Sequence, residues 1–415
     1  MGRIETNFKQ TEVGLIPHDW EVKRLGDCLL KNPDYGINAA AVEYDDTLPT
    51  YLRITDISEN GKFIISNKTS VNNPLSDLYC LDDGDIVFAR TGASVGKTYL
   101  YDVNDGRLVF AGFLIRIKAN PKVLYYRYFI HLTQTNRYWS WVLANSMRSG
   151  QPGLNSDEYK AFQIAIPPID TKEQTAIANA LSDADGYIES LEKLIDKKQK
   201  IKQGAMQQIL KPKENWEVKK LGEVCKFQNG TALESYFNKE DGYKVISIGN
   251  YSEKGIFNET GNFIAKNRYE NVKKFILEKG DLAFLMNDKT AIGTIIGRAL
   301  FIEESDKYIF NQRTMRLVAV HKFMNPKFLF HLINSNHYHA LFVKLAKPGT
   351  QIYLNTRDVL DFEIMIPALE EQLEIAQILS DIDNEITILN QKLTKAKAIK
   401  QGMMQQLLTG KIRLI

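Results

Sequence analysis

The chain is written twice, and a long-period repeat decides architecture before any single residue does. Trp20-Glu-Val-Lys-Arg-Leu-Gly26 recurs as Trp216-Glu-Val-Lys-Lys-Leu-Gly222, and Gly84-Asp-Ile-Val-Phe88 as Gly280-Asp-Leu-Ala-Phe284. Leu154-Asn155 with Phe162, Ile164, Ile166 and Pro167 returns as Leu354-Asn355 with Phe362, Ile364, Ile366 and Pro367. Glu173-Gln174 returns as Glu371-Gln372, Leu181-Ser-Asp183 as Leu379-Ser-Asp381, and Lys202-Gln-Gly204 with Met206-Gln-Gln208 as Lys400-Gln-Gly402 with Met404-Gln-Gln406. The anchors keep their order, so the chain has two full-length halves of the same design.

Each half has two parts. Residues 1–168 and 212–367 mix short β-type runs (Asp85–Phe88, Phe162–Ile166, Lys244–Ile248) with Gly/Asn-rich turns and an aromatic helix-like stretch, Tyr125–Trp141 or Lys327–Val343. Residues 169–211 and 368–415 follow a proline stop and read as one long helix each. The fold class is therefore α+β, with two globular mixed α/β domains separated by two long helices.

Apolar or small residues at Ile177, Leu181, Ala184, Ile188, Leu191 and Ile195 alternate steps of four and three, which is a coiled-coil seam. Ile375, Leu379, Ile382, Ile386, Leu389 and Leu393 repeat it in the second helix, and Lys198 and Lys202 interrupt the first seam near its end. About 40 residues at ~1.5 Å each give a rod of roughly 60 Å. Acids gather early in each rod (Glu370, Glu371, Glu374, Asp381, Asp383, Glu385) and bases late (Lys392, Lys395, Lys397, Lys400, Lys411, Arg413). That drift suits each helix macrodipole alone. Paired rods add a stronger constraint, because only antiparallel packing sets acid beside base. Two like halves with antiparallel rods imply a pseudo-two-fold internal repeat with one globular domain at each end of the spacer.

Composition narrows the function. The net charge is only +3, so a nucleic acid would meet local patches rather than a global field. At 44% apolar and 10% aromatic the chain has material for real cores, and no apolar run approaches the ~18 residues of a membrane span. Three cysteines, Cys28, Cys80 and Cys225, with no Cys-x-x-Cys pair fit a reducing compartment, and the expected location is cytoplasmic. Met1-Gly2-Arg3-Ile4-Glu5-Thr6 satisfies a loose myristoylation pattern without a second lipid signal, and neither it nor a signal peptide is expected to operate.

The doubled anchors, with Trp20 and Trp216 opening each half, the strand into Ile166-Pro167 or Ile366-Pro367, the Glu-Gln start of each rod and the Lys-Gln-Gly-x-Met-Gln-Gln near its end, resemble the specificity subunit of type I restriction–modification enzymes. The resemblance covers essentially the whole chain. It implies target-recognition domains at 1–168 and 212–367, conserved helical spacers at 169–211 and 368–415, and no catalysis by the chain itself. It also implies double-stranded DNA as ligand, two methyltransferase (modification) subunits docking on the helices, and restriction subunits joining the complex. No cofactor is expected on this chain; S-adenosylmethionine, ATP and Mg²⁺ belong to the partners. Because the halves differ almost everywhere except at the anchors, two unlike half-sites are expected, with a gap set by the rods.

Other chemistries find weaker support. Gly92-Ala-Ser-Val-Gly96-Lys97-Thr98 has a phosphate-loop look, but the glycine that the spacing requires is Thr91, and Asn287–Gly293 lacks Gly-Lys-Thr altogether. His331, His337 and His339 cluster without a nearby cysteine or carboxylate ligand, and His131 aligns with His331, which favours a shared structural role. No Asn/Asp-Pro-Pro-aromatic methyltransferase motif occurs, and Glu158-Tyr-Lys160 lacks the first acid of a nuclease motif. The aromatic stretch has helical spacing and is expected to pack in the core rather than stack on bases.

Candidate DNA-contacting residues are polar groups in turn-rich segments, since Arg suits guanine, Asn and Gln suit adenine, and Lys, Ser and Thr suit phosphates. They are Arg90, Thr91, Ser94 and Lys97 with Arg148, Gln151 and Asn155 in the first half. In the second they are Asn287 and Lys289 with Lys347, Thr350, Gln351, Tyr353 and Asn355. Asn155 and Asn355 occur in both halves and are expected to serve the fold or the phosphate backbone. The competing reading is a two-headed coiled-coil adaptor that binds peptides without DNA specificity; an enzyme acting alone is a weaker third.

Overall fold

The computed structural model describes residues 7–147, 150–253, 257–259, 261–289, 291–349 and 351–415. The chain forms two compact units, Met1–Leu191 with Lys392–Ile415, and Glu192–Gln391.

In the first unit a four-stranded antiparallel sheet runs in the order Asp34–Tyr35, Leu114–Lys118, Asp85–Ala89, Thr98–Leu100. A parallel pair, Thr50–Leu52 with Leu108–Phe110, accompanies it. The second unit repeats the order with Cys225–Asn229, Thr314–Ala319, Leu282–Leu285 and Ala299–Phe301, and has the parallel pair Tyr243–Ile246 with Tyr308–Phe310. Side chains alternate across a strand, and the central strand is covered on both faces. Ile86 and Phe88 enter one core while Val87 and Ala89 enter another. Leu282 and Phe284 against Ala283 and Leu285 do the same in the second unit. The continuous apolar run after each Gly-Asp anchor reflects this double burial. The aspartate of the anchor closes the turn before the strand: Asp85 accepts from the Asp82 amide at 3.0 Å and Asp281 from the Glu278 amide at 2.7 Å.

Two repeated motifs turn out to be one structural element. Glu21–Arg24, within the Trp20 motif, pairs antiparallel with Gln163–Ile166, and Glu217–Lys220 pairs with Glu363–Ile366. Each aromatic stretch is two helices rather than one: Tyr126–Leu132 and Asn136–Ser146, then Pro326–Ile333 and Asn336–Leu345. The break comes from the Thr135 and Ser335 hydroxyls, which accept the amides of Tyr138 and Tyr338 and so start a new helix. Most of the stretch packs in the core, with Tyr128, Phe129, Tyr138, Phe328 and Phe342 fully buried, while Trp139 is 39% exposed.

The long helices are Glu173–Ile209 and Leu369–Leu407. The glutamine that opens each one is buried and fully satisfied. Gln174 accepts the Tyr125 amide at 2.8 Å and donates to the carbonyls of Val123 and Pro167. Gln372 accepts the Asn325 amide at 2.9 Å and donates to Phe323 and Pro367. A repeated two-residue motif thus ties each helix to its own globular core.

All twelve seam positions are buried or half-buried. In the first unit Arg413 meets Glu173 and Lys400 meets Asp185 at 2.6 Å. In the second, Lys198 meets Glu385, Lys202 meets Asp383 at 2.6 Å, and Lys213 meets Glu371 at 2.6 Å. Partner numbers fall as the first helix rises, so the helices are antiparallel within each unit. The lysines that interrupt the seam are the ones paired with acids on the opposite helix.

His131 and His331 sit beside these pairs, both buried. Their imidazoles lie 3.9 Å from Asp185 and 4.0 Å from Asp383. Burial first, then the lysine opposite (Lys400 or Lys202), pushes their pKa values down to about 4 and about 3. Both lie below the ordinary 6.5, so on acidification the unfolded chain takes up protons before the folded one does. Stability from this source is complete above about pH 6.5 and is lost as the pH falls toward 4. His331→Asn should therefore flatten the pH dependence of the urea midpoint between pH 6.5 and 4; an unchanged slope would contradict the assignment.

Candidate nucleic-acid interface

The candidate segments of each half, some sixty residues apart in sequence, are hydrogen-bonded side by side. At the end of the central strand Asp85–Ala89, the Arg90 carbonyl accepts the Leu154 amide at 2.9 Å, and the Gly92 amide donates to Pro152 at 3.0 Å. In the second unit the Met286 carbonyl accepts the Leu354 amide at 2.8 Å, and the Asp288 amide donates to Ile352 at 3.0 Å. Bridges Thr91–Gly153 and Asn287–Tyr353 complete the correspondence. The repeat therefore builds one frame twice; a glutamine stands at the same place in both, Gln151 and Gln351, and the other side chains differ: Arg90 and Thr91 in one unit, Asn287, Lys289 and Tyr353 in the other.

Arg90 is half-buried with its guanidinium 4.6 Å from the centre of the Tyr35 ring. Its Nε is buried without a hydrogen-bond partner among the described residues. Stacking uses the faces of the guanidinium and leaves its in-plane N–H donors for recognition. Tyr35 ends the edge strand of the sheet, and its hydroxyl accepts the Ser156 amide at 3.2 Å, tying the edge to the same frame. Sequence reading missed Tyr35, because only the sheet brings it to Arg90. In the second unit Asn229 takes the corresponding place and exchanges hydrogen bonds with Thr356 at 3.0 and 3.2 Å. A glycine follows each of these edge residues for a steric reason: a Cβ on Gly36 would lie 2.2 Å from the Phe110 carbonyl, and on Gly230 2.0 Å from that of Asn311.

The other candidates divide by what already holds them. Thr91 and Ser94 are half-buried, and Gln151 and Lys289 are exposed on the frame. Lys97 is 16% exposed and ion-paired with Glu59. Thr98 begins a strand, not the helix that a phosphate loop opens. Asn287 and Gln351 are half-buried, and Tyr353 is 39% exposed. Lys347 shares backbone hydrogen bonds with Tyr353 and lies 3.5 Å from Asp358. Arg148 and Thr350 lie outside the described residues.

Asn155 is an N-cap: its side chain accepts the Glu158 amide at 2.9 Å, while Glu158 accepts the Asn155 amide at 2.8 Å. Asn355 holds the same position before Thr356–Leu360, with its amide group directed to Asp358 at 3.1 Å. The feature kept in both halves is thus local structure. Asn155→Ala should cost about 1 kcal/mol of stability in a denaturant titration, and no loss would remove the capping role.

The three clustered histidines of the second half have different bonding partners. His331 is buried beside Asp383, His337 packs edge-on against Tyr338, and His339 Nδ1 lies 3.0 Å from the Ile296 carbonyl. Cys28 and Cys225 are free and buried, with burial raising their thiols to about 11 and about 12. Among the described residues no helix is long and apolar enough to cross a membrane.

Residues 17–203 and 213–398 each match the family model of the type I restriction modification DNA specificity domain. The chain is 28% identical to the type I restriction enzyme MjaVIII specificity subunit of Methanocaldococcus jannaschii, over 99% of this chain and 97% of that one. It is 27% identical, with the same coverage, to the putative MjaX specificity subunit of that organism. Its fold is similar to the S subunit of a type I restriction–modification system from M. genitalium, with a TM-score of 0.62 at 14% identity over 94% of this chain and 96% of that one. A chain from a structure describing complex assembly of a type I system gives a TM-score of 0.50 at 15% identity, over 96% and 99%.

Proposed function

The chain belongs to the type I restriction–modification DNA specificity family, and from that premise we propose that it reads a bipartite, asymmetric DNA site with one half-site per globular domain. The carrying observation is the frame built twice from the same backbone hydrogen bonds and furnished with side chains that differ except at the shared glutamine, Gln151 and Gln351. On this reading Arg90, stacked on Tyr35, addresses a base edge together with Gln151, whereas Asn287, Lys289, Gln351 and Tyr353 address the other half-site. The remaining candidates, Thr91, Ser94, Lys97, Arg148, Lys347 and Thr350, are assigned to the phosphates or to holding the loops. Asn155 and Asn355 position the frame.

The chain is proposed to be non-catalytic and cytoplasmic, to bind no cofactor, and to position methyltransferase subunits on its helices and, through them, restriction subunits. The long helices would set the gap between half-sites. A net charge of +3 is small for a protein neutralising several phosphates, so the isolated chain should bind DNA weakly and gain grip from the methyltransferase. Mobility-shift titration with and without the methyltransferase tests this. A sequence-preferring complex is expected, and no preference in either condition would favour the peptide-binding adaptor. Arg90→Ala should weaken the cognate complex about 10- to 100-fold, corresponding to ~1–3 kcal/mol for one good base contact, with an unshifted melting temperature. An unaltered affinity would remove Arg90 from the interface.

A further inference from the structure

The second unit holds a cavity of about 450 Å³ between the last turns of the long helix Glu173–Ile209, with the residues that follow it to Pro212, and the helix Pro326–Ile333. That size falls within the ~300–1,000 Å³ of small-molecule sites. Arg298 lines it and is only 6% exposed. A buried charge is normally met by a carboxylate. The other buried arginine among the described residues, Arg116, obeys the rule, bonding Asp34 and Asp85. Arg298 does not: its guanidinium donates through Nη1 to the Asn334 carbonyl, its Nε has no partner, and no ion pair reaches it among the described residues.

The carboxylates lining the same space do not repair this. Asp383 is held by Lys202 at 2.6 Å, and Glu253 acts on Arg298 only at Coulombic range. Lys211 adds a further cation to the lining. Burial meanwhile pulls the Arg298 pKa down to about 10, as expected for a charge short of compensation. Away from the cations the wall is apolar, with Met206, Leu210, Phe330 and Ile386. The amides of Gln203 and Gln207 beside it offer both donors and acceptors.

We infer that this cavity is a binding site for a small phosphorylated ligand of the nucleoside monophosphate class, its phosphate paired with Arg298 and Lys211 and its base against Phe330 and the glutamine amides. The site is separate from the proposed DNA-reading frame and does not depend on it.

Calorimetric titration of the full chain with AMP, inorganic phosphate and adenosine tests the assignment. AMP should bind, phosphate should compete with it, and adenosine should bind at least tenfold more weakly than AMP. Arg298→Met should reduce AMP affinity at least tenfold without lowering the melting temperature of the unliganded protein, since it removes a buried charge that lacks a carboxylate. Lys211→Met, at an exposed position, should weaken AMP several-fold and decides the matter if Arg298→Met does not fold. No AMP binding at millimolar concentration, equal binding of adenosine and AMP, or unchanged AMP affinity in the variants would overturn the inference.

Discussion

Glu173→Ala should destabilise the protein by about 3–5 kcal/mol, the cost of stripping one partner from a buried ion pair. Glu173 is fully buried and accepts four hydrogen bonds: from Trp20 Nε1 at 3.1 Å, from Arg413 Nε and Nη2 at 2.8 Å each, and from the Leu414 amide at 3.3 Å. Arg413 is 9% exposed and is also gripped by both oxygens of Asp19, at 2.9 and 2.6 Å. Removing the Glu173 carboxylate leaves a buried guanidinium with one partner and an indole N–H with none.

The repeat supplies an internal control. Glu371, its counterpart, makes a 2.6 Å pair with Lys213 that is 25% and 55% exposed, and Trp216 Nε1 has no hydrogen-bond partner among the described residues. Glu371→Ala should therefore cost no more than about 1 kcal/mol. Urea titrations of the two variants measure the contrast. Equal losses would mean that the repeated Glu-Gln motif does the same work in both halves, contrary to the geometry.

Exchange of residues 212–367 for the corresponding segment of another family member should change one half of the methylated site and leave the other intact. The physical basis is that the hydrophobic cores do not mix. One large core draws on residues between Leu210 and Leu379, the other on residues up to Leu181 together with Met404, Leu407 and Leu408. A graft must still pack on host positions outside its own limits, chiefly Ile375, Ala376 and Leu379. These match Ile177, Ala178 and Leu181 of the other half residue for residue, so the socket is of a standard kind. Sequencing the methylome of cells that express the exchanged chain with its methyltransferase gives the answer. Altered bases in both halves would refute independent readers.

Much of this architecture was legible because the repeat samples the same physics twice. A position kept apolar in both halves at heptad spacing has to face a core, and charge drifting from acid to base along both helices is compatible with only one mutual direction. The Glu-Gln and Gly-Asp anchors were visible as recurrences, although their work, capping carbonyls and closing turns, required coordinates. The aromatic stretches were legible as helix-like, but not their division into two helices each, because a threonine or serine hydroxyl interrupts an otherwise continuous apolar period, and the capping bond overrides the pattern. The candidate loops were found by composition alone, and composition does not distinguish a free lysine from Lys97, already paired with Glu59.

From the order of its residues alone, this protein was bound to be two α+β halves on antiparallel helical stems, because periodicity and charge act along the chain and survive without coordinates. Tertiary structure decided what stands beside what: Tyr35 under Arg90, the two candidate segments in one frame, Glu173 locked by Arg413, and Arg298 bonded to a carbonyl instead of a carboxylate in its cavity. Such pairings join residues tens to hundreds of positions apart, and they depend on sheet order and packing, which no local pattern encodes.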